Sequence, residues 1–253
     1  MKGAYECHGF GKIASGDCRG EGIGGVWLVK RIAGPLQTTR MWRFSLFGFP
    51  VTVEPWFWLT SFLLGGGLTM RGRDGLAFVA IWMVVVLVSI LVHEFGHAFA
   101  GRRYGALPEI RLHGFGGVAI MHGGYFDRPQ SILVSAAGPA ASFALGVVVW
   151  LVSKVWLPED YFAFLAIQFL LYVNFFWTVI NLLPILPLDG GQIIRDVMGP
   201  RRLQLVVWIG VVCAGAVALW AFSVGRTFLG IMMIILAFSN YQSQNIQGGV
   251  VRD

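Results

Sequence analysis

Charged residues and cysteines are scarce in this chain, and each shortage excludes a class of protein. Only 13% of the 253 residues are charged, about half the usual share for a globular protein, while 56% are hydrophobic. A soluble fold could not bury that much apolar surface, so we predict a polytopic membrane protein. Three cysteines, Cys7, Cys18 and Cys213, are too few and too scattered for a disulfide framework. The net charge of +6 comes from short basic clusters beside apolar runs, which indicates membrane orientation and no nucleic-acid partner.

The N-terminal segment lacks an apolar run long enough for a signal-peptide core. It is rich in glycine and carries charges of both signs, so we predict that residues 1–40 are a disordered arm or a non-native extension. Cys7, His8 and Cys18 do not have the spacing of a zinc site, and we expect no metal there. Residues 41–240 would then form the main domain, and residues 241–253 a C-terminal tail.

Long apolar runs dominate the remainder of the chain. A membrane-spanning helix needs about 20 apolar residues. The clear candidates are residues 76–100, 131–151, 161–183 and 203–224, and the weaker ones are residues 55–70 and 227–239. We therefore predict an all-α polytopic membrane protein with about six transmembrane helices. The bias of Lys and Arg predicts a cytoplasmic N-terminus, with the second and fourth helices ending on the cytoplasmic side.

A His-Glu-Phe-Gly-His motif ends the first of the long runs. His93 and His97 are four residues apart, so on a helix they share one face, and Glu94 can reach a shared water. Ionisable residues are costly inside a membrane and usually mark a functional site. A catalytic zinc ion takes three protein ligands and keeps one open position, so the motif requires one more ligand.

Asp189 is the leading candidate for the third ligand. Pro184 and Pro187 are expected to end the preceding helix and to let the chain fold back. The glycines that follow allow close approach of the backbone. The alternative is that Asp189 only caps a helix formed by residues 190–198.

Polar side chains form a stripe on each of the two helices concerned. The stripes consist of Ser89, His93 and His97 on one helix, and of Asn174, Thr178 and Asn181 on the other. We expect the two stripes to face each other around the metal. Asn181, next to the helix break, is a candidate for substrate contact, whereas Asn174 and Thr178 are more typical of helix-to-helix hydrogen bonding.

The segment of residues 109–125 is predicted to be a short β-hairpin. Glycines bracket the strand-like residues 118–121. An extended peptide can add to an open strand edge through main-chain hydrogen bonds, so Gly117, Val118 and Ile120 are the expected substrate contacts. His113 and His122 are expected to be interfacial histidines and not metal ligands.

The ordered set of motifs resembles the site-2 protease family of intramembrane zinc metalloproteases. The resemblance covers about residues 42–198. It rests on the histidine motif, on the small-residue segment of residues 137–142, and on the Pro-Leu-Asp-Gly-Gly region of residues 181–191. Many family members carry Asn at the position of Ser142.

The resemblance implies roles for individual residues. His93, His97 and Asp189 would be ligands of one zinc ion per chain, and Glu94 would be the catalytic acid/base. The hairpin would be embedded in the membrane and would receive an unwound substrate. Residues 41–240 would be the intramembrane protease domain.

The expected function is hydrolysis of a peptide bond in or near the transmembrane segment of a membrane-protein substrate, as in regulated intramembrane proteolysis. The expected partners are the lipid bilayer and a single-span protein or a remnant signal peptide. We place the chain in the inner membrane of a bacterium, with the active site open to the cytoplasm. The alternatives are a metal transporter or sensor and an inactive scaffold that binds transmembrane helices. Glu94 argues against a carrier, and the filled catalytic positions argue against a scaffold.

Overall fold

The structure is a computed structural model that describes residues 41–250, with side chains described as far as residue 242. The predicted arm, residues 1–40, lies outside the described residues together with Cys7, His8 and Cys18. The last three residues of the predicted tail also lie outside them.

Helices make up most of the described chain. They are α1 (Pro55–Leu64), α2 (Gly72–Arg103), α3 (Arg128–Val155), α4 (Tyr161–Asn181), α5 (Asp189–Met198), α6 (Leu203–Ser223), which follows a 3-10 turn at Pro200–Arg202, and α7 (Thr227–Val250). Within residues 41–250, four helices are long and apolar enough to cross a membrane: α2, α3, α4 and the segment Pro200–Ser223. The four clear runs are thus confirmed as helices of sufficient length, which agrees with a multi-pass membrane protein. The count of six stays a prediction, because α1 and the apolar part of α7 are shorter.

Caps set helix ends that an apolar run cannot locate. α3 starts three residues before its apolar run, because Asp127 and Gln130 form a capping box. The Asp127 carboxylate accepts from the Gln130 amide at 2.8 Å, and the Gln130 side chain accepts from the Asp127 amide at 3.2 Å. α7 continues past residue 239 to Val250, since a helix can extend beyond its apolar part into polar sequence.

One four-stranded sheet accompanies the helices. Its strands are β1 (Trp42–Leu46), β2 (Phe49–Val53), β3 (Leu107–His113) and β4 (Gly116–His122), in the spatial order β1-β2-β3-β4. β1 and β2 are antiparallel, β2 and β3 are parallel, and β3 and β4 are antiparallel. The predicted hairpin is therefore present as β3–β4, but the prediction of an all-α fold with one hairpin was wrong in leaving out β1 and β2.

The turn of the first hairpin explains that omission. Phe47 and Gly48 connect β1 to β2 with positive φ angles of 52° and 76°. Such two-residue turns usually carry Asn-Gly or Asp-Gly, and a phenylalanine at positive φ is uncommon. Arg102, near the end of α2, donates to the Phe47 carbonyl at 3.1 Å and lies 3.7 Å from the centre of the Phe49 ring. These contacts stabilise a turn that its own sequence does not favour.

Two apolar cores hold the histidine motif and the Asp189 region in place. In the first, the inner strands β2 and β3 pack on α2 and α4. Its most buried members include Phe49, Val51, Val53, Phe95, Ala98, Ile110, Leu112 and Val173. In the second, Ile185, which lies between α4 and α5, packs on α6 and α7. The motif-bearing end of α2 therefore lies against the sheet.

Candidate metal and catalytic site

Three buried side chains converge where α2 meets the start of α5. His93 Nε2 lies 3.0 Å from Asp189 Oδ2, and His97 Nε2 lies 3.3 Å from Asp189 Oδ1. The two Nε2 atoms are 3.2 Å apart. Each residue is 8% exposed. Among the residues described, these three form a group that could hold a metal ion.

The irregular segment between α4 and α5 carries Asp189 to the histidines. α4 ends at Asn181, and the chain folds back so that α5 begins at Asp189. A Cβ atom at Gly190 would overlap the Leu182 carbonyl, and one at Gly191 would lie 2.5 Å from the Ile185 carbonyl carbon. The alternative role of Asp189 as a helix cap was wrong. Leu188 occupies the N-cap position, and the Asp189 carboxylate points to the histidines.

Helix α3 fixes the orientation of both imidazole rings. The Val134 carbonyl accepts a hydrogen bond from His97 Nδ1 at 2.7 Å, and Ser142 Oγ lies 3.0 Å from His93 Nδ1. Gly138 permits this packing, because a side chain there would overlap the His97 ring. A histidine that ligates a metal usually binds such a partner through its other nitrogen. The role of Ser142 was not predicted from the sequence. The feature that could have indicated it is its position one helical turn after Gly138, which puts both residues on the same helix face.

The arrangement fits a zinc ion. A carbonyl can only accept, so His97 Nδ1 carries a proton. When Nε2 is deprotonated, as metal binding requires, its lone pair faces His93 and Asp189. Around a tetrahedral ion with bonds of ~2.0–2.1 Å, neighbouring donor atoms are about 3.3 Å apart. The two Nε2 atoms, 3.2 Å apart, are close to that spacing, and each lies 3.0–3.3 Å from one oxygen of the Asp189 carboxylate.

Glu94 lies beside the three donors, against strand β4. The residue is 4% exposed, and its Oε2 atom is buried without a hydrogen-bond partner. The backbone amide of Ala119 hydrogen-bonds the carboxyl group. A Cβ atom at Gly117 would lie 2.6 Å from both Cγ and Oε1 of Glu94. Glu94 is thus held by the strand, with one oxygen available for a proton.

The register of β3 determines which amides of β4 face its open edge. The Glu54 amide donates to the Leu112 carbonyl at 2.9 Å, so the main-chain groups of Leu112 point toward β2. Because orientation alternates along a strand, those of Arg111 and Glu109 point toward β4, where their partners are Val118 and Ile120. The amides of Val118 and Ile120 therefore bond to β3. The amides at the open edge belong to Gly117, Ala119 and Met121, which agrees with the contact between Ala119 and Glu94.

The two polar stripes meet through hydrogen bonds. The side-chain amide of Asn174 donates to Ser89 Oγ at 2.9 Å, and Thr178 donates to the Asn174 carbonyl at 2.5 Å. Asn174 therefore joins α4 to α2, in agreement with the prediction that it hydrogen-bonds one helix to another. Asn181 is the last residue of α4 and is half-buried.

The other two histidines within residues 41–250, His113 and His122, are not part of the metal group. His113 Nδ1 accepts from the Phe115 amide at 3.2 Å. The side chain of His122 is 58% exposed, and its Nε2 atom lies 3.6 Å from Glu109 Oε2. Neither is among the residues that could share a metal ion.

Comparison with known proteins gives the family. The family model described as "Peptidase M50B-like" matches residues 73–194. A putative zinc metalloprotease, Rip2 of Mycolicibacterium smegmatis, is 30% identical over 173 residues, which cover 54% of this chain and 67% of the relative. A zinc metalloprotease of Methanocaldococcus jannaschii is 28% identical over 159 residues, which cover 62% of this chain and 45% of the relative.

The solved structure of the site-2 protease from M. jannaschii has the same fold. It superimposes with a TM-score of 0.59 at 25% sequence identity, over 80% of this chain and 94% of that one. The chain therefore belongs to the site-2 protease family. It spans less than half the length of some curated relatives, 45% of the M. jannaschii metalloprotease and 41% of the putative zinc metalloprotease Rip3 of Mycobacterium tuberculosis.

Proposed function

We propose that this chain is an intramembrane zinc metalloprotease. It hydrolyses a peptide bond in or near the transmembrane segment of a membrane-protein substrate. The observation that carries the proposal is the convergence of two imidazole nitrogens and a carboxylate within 3.3 Å of each other. Glu94 follows the first of the histidines and keeps one buried oxygen unpartnered. A metal carrier would need the three donors but not Glu94.

Each residue of the site has a separate role in the proposed reaction. His93, His97 and Asp189 hold one zinc ion, and Ser142 and the Val134 carbonyl orient the two rings. A zinc ion held there supplies Lewis acidity, which polarises a carbonyl and makes water more acidic. Glu94 accepts the proton of the attacking water at Oε2 and returns it to the leaving amine. The surrounding protein limits access of bulk water, which strengthens each electrostatic contact.

Strand β4 provides a place to hold the substrate next to Glu94. A helical substrate shields its own carbonyls, so the segment to be cut must become extended. An extended peptide can pair with the open edge of β4 and replace the hydrogen bonds it lost on unwinding. Gly117 and Met121 offer main-chain groups at that edge on either side of Ala119, whose amide holds Glu94, while Val118 and Ile120 support the edge by pairing with β3. Asn181, at the helix break, would contact the same segment.

The proposal includes how the domain lies in the membrane. Residues 41–240 form the protease domain, in which α1 and α7 join the four long helices as six transmembrane segments and the hairpin β3–β4 lies at membrane depth. The Lys and Arg bias supports a site on the cytoplasmic side, and the membrane of the proposal is the inner membrane of a bacterium. The substrate is a single-span protein or a remnant signal peptide. Arm residues 1–40 are not required.

The decisive experiment separates metal binding from hydrolysis. The chain and its Glu94→Gln variant are expressed in a host membrane, and peptides from membrane proteins are compared by mass spectrometry. Both purified proteins should contain about one zinc ion per chain, because the ligands are unchanged. New cleavage products should appear only with the unaltered chain. Equal cleavage by Glu94→Gln would refute the assignment.

A second variant tests the ligand set. Asp189→Ala removes one of the three donors, so it should lose zinc as well as cleavage. Full zinc occupancy in this variant would show that another residue completes the metal site.

A further inference from the structure

Asn240 is a buried polar residue on the last helix, outside the region matched by the family model. It is 1% exposed and lies near the end of the apolar segment Thr227–Gln242 of α7. The family model ends at residue 194. None of the roles proposed above uses this side chain, although burying an amide group is costly unless it is hydrogen-bonded.

The side chain of Asn240 reaches the segment that carries Asp189. Its Nδ2 atom donates to the Leu186 carbonyl, three residues before Asp189, and also to the Leu236 carbonyl of its own helix at 3.0 Å. Its Oδ1 atom is buried without a partner. The Nδ2 contact therefore links α7 directly to the main chain beside a proposed zinc ligand.

Irregular backbone at membrane depth is stable only when protein or water satisfies its polar groups. The segment between α4 and α5 is irregular, and Asn240 satisfies one of its carbonyls from outside. Apolar packing supports the same segment, since Ile185 is fully buried in a cluster with Ala214 and Met233. Gly210 lets α6 lie close to both α7 and this segment, because a Cβ atom there would lie 2.8 Å from Asn240 Oδ1 and 3.2 Å from the Pro184 carbonyl oxygen.

We propose that Asn240 is a positioning residue for the zinc site. By holding the Leu186 carbonyl, it fixes the path of the chain into Asp189, so that this carboxylate meets His93 and His97. The inference rests on the proposed function, in which Asp189 is a zinc ligand. With this contact, helices α6 and α7 also support the metal site, in addition to α2 and α3.

The test measures zinc retention in the full chain. Asn240→Leu has a similar volume and no donor, and Asn240→Asp keeps the shape but removes the amide N–H groups. The control is Leu229→Ala, which removes a buried side chain of the same helix at the opposite end of its apolar part from Asn240. Each protein is purified with zinc bound. Zinc release to a chromogenic chelator is then timed, and thermal unfolding is followed by circular dichroism.

Partners of metal ligands typically change metal affinity by about 10–100-fold when they are removed. Because Asn240 acts through the main chain, we expect the low end, with about tenfold weaker zinc retention in both Asn240 variants. Excess zinc should restore their cleavage, since the three ligands and Glu94 remain. Leu229→Ala should release zinc at nearly the unaltered rate even though it unfolds at a lower temperature.

The outcomes separate this inference from the proposed function. Unaltered zinc release in Asn240→Leu, or in Asn240→Asp should the leucine variant not fold, overturns the inference. So does an equal loss of zinc in Leu229→Ala, since the effect would then be one of general stability. If the unaltered chain binds no zinc, or cleaves no better than Glu94→Gln, the proposed function itself fails.

Discussion

Gly117 lies so close to the Glu94 side chain that one added methyl group should displace the proposed acid/base. A Cβ atom at position 117 would be 2.6 Å from Glu94 Cγ and Oε1 and 2.8 Å from Cδ. Ordinary contacts between non-bonded carbon atoms are about 3.5–4.0 Å. Gly117 is not among the glycines with positive φ, so alanine meets no backbone strain there. The carboxyl group must therefore move by about 1 Å to restore a normal contact.

A displacement of this size has a predictable cost for the reaction. A misplacement of about 1 Å can reduce an enzymatic rate by about a hundredfold. That loss corresponds to about 2.7 kcal/mol of activation free energy. Zinc binding should change little, because the clash involves Glu94 and none of the three donors. Gly117→Ala should therefore resemble Glu94→Gln, with normal metal content and slow cleavage.

The measurement compares kcat for a cleaved membrane peptide with the zinc content of the same preparation. Gly114→Ala is the matched control, because it alters the same hairpin and its Cβ atom would meet Thr60 and Trp56 at an ordinary 3.4 Å. It should cleave at nearly the unaltered rate. Gly117→Ala with an unchanged kcat would show that Glu94 tolerates the added methyl group, and the positional argument would be wrong.

Three further predictions follow from the contacts around the site. Ser142→Ala removes the partner of His93 Nδ1, so zinc affinity measured against a competing chelator should fall about tenfold; an unchanged affinity would leave Ser142 without a role. Met121→Pro removes an edge amide of β4 but none that pairs with β3, so cleavage should fall strongly while zinc content stays normal, and Met121→Leu should cleave normally. In a chain without its native cysteines, an impermeant thiol reagent should label a cysteine near Arg102, at Arg103, only from the cytoplasm and one at Glu159 only from outside. The reverse labelling would invert the proposed topology.

The sequence predicted a structural feature best where the type and spacing of the residues directly reflect what that feature physically requires. An apolar run of the length of a bilayer predicts a membrane helix, and all four clear runs are helices of sufficient length. Two histidines four residues apart must share a helix face, whatever the rest of the fold does. Asp189 could be selected because few ionisable residues lie near the apolar runs and because prolines precede it.

Other features depend on contacts between distant parts of the chain. The β1–β2 hairpin has a turn with an unfavourable phenylalanine, and Arg102, 55 residues away, stabilises it. The open edge of β4 follows from the way β3 pairs with β2, so no reading of residues 116–122 alone could assign the amides at that edge. Ser142 and Asn240 are ordinary small polar residues in helical sequence.

The sequence by itself therefore determined the membrane class, the long helices and the identity of the proposed ligands, because these depend on local hydrophobicity and on helical periodicity. Only the tertiary structure decided how the ligands are held. The distances between His93, His97 and Asp189, the contact of Glu94 with β4, and the bond from Asn240 to the Leu186 carbonyl each join separate elements. Packing brings those elements together, and hydrogen-bond geometry, which acts over about 3 Å, then selects which polar groups are paired.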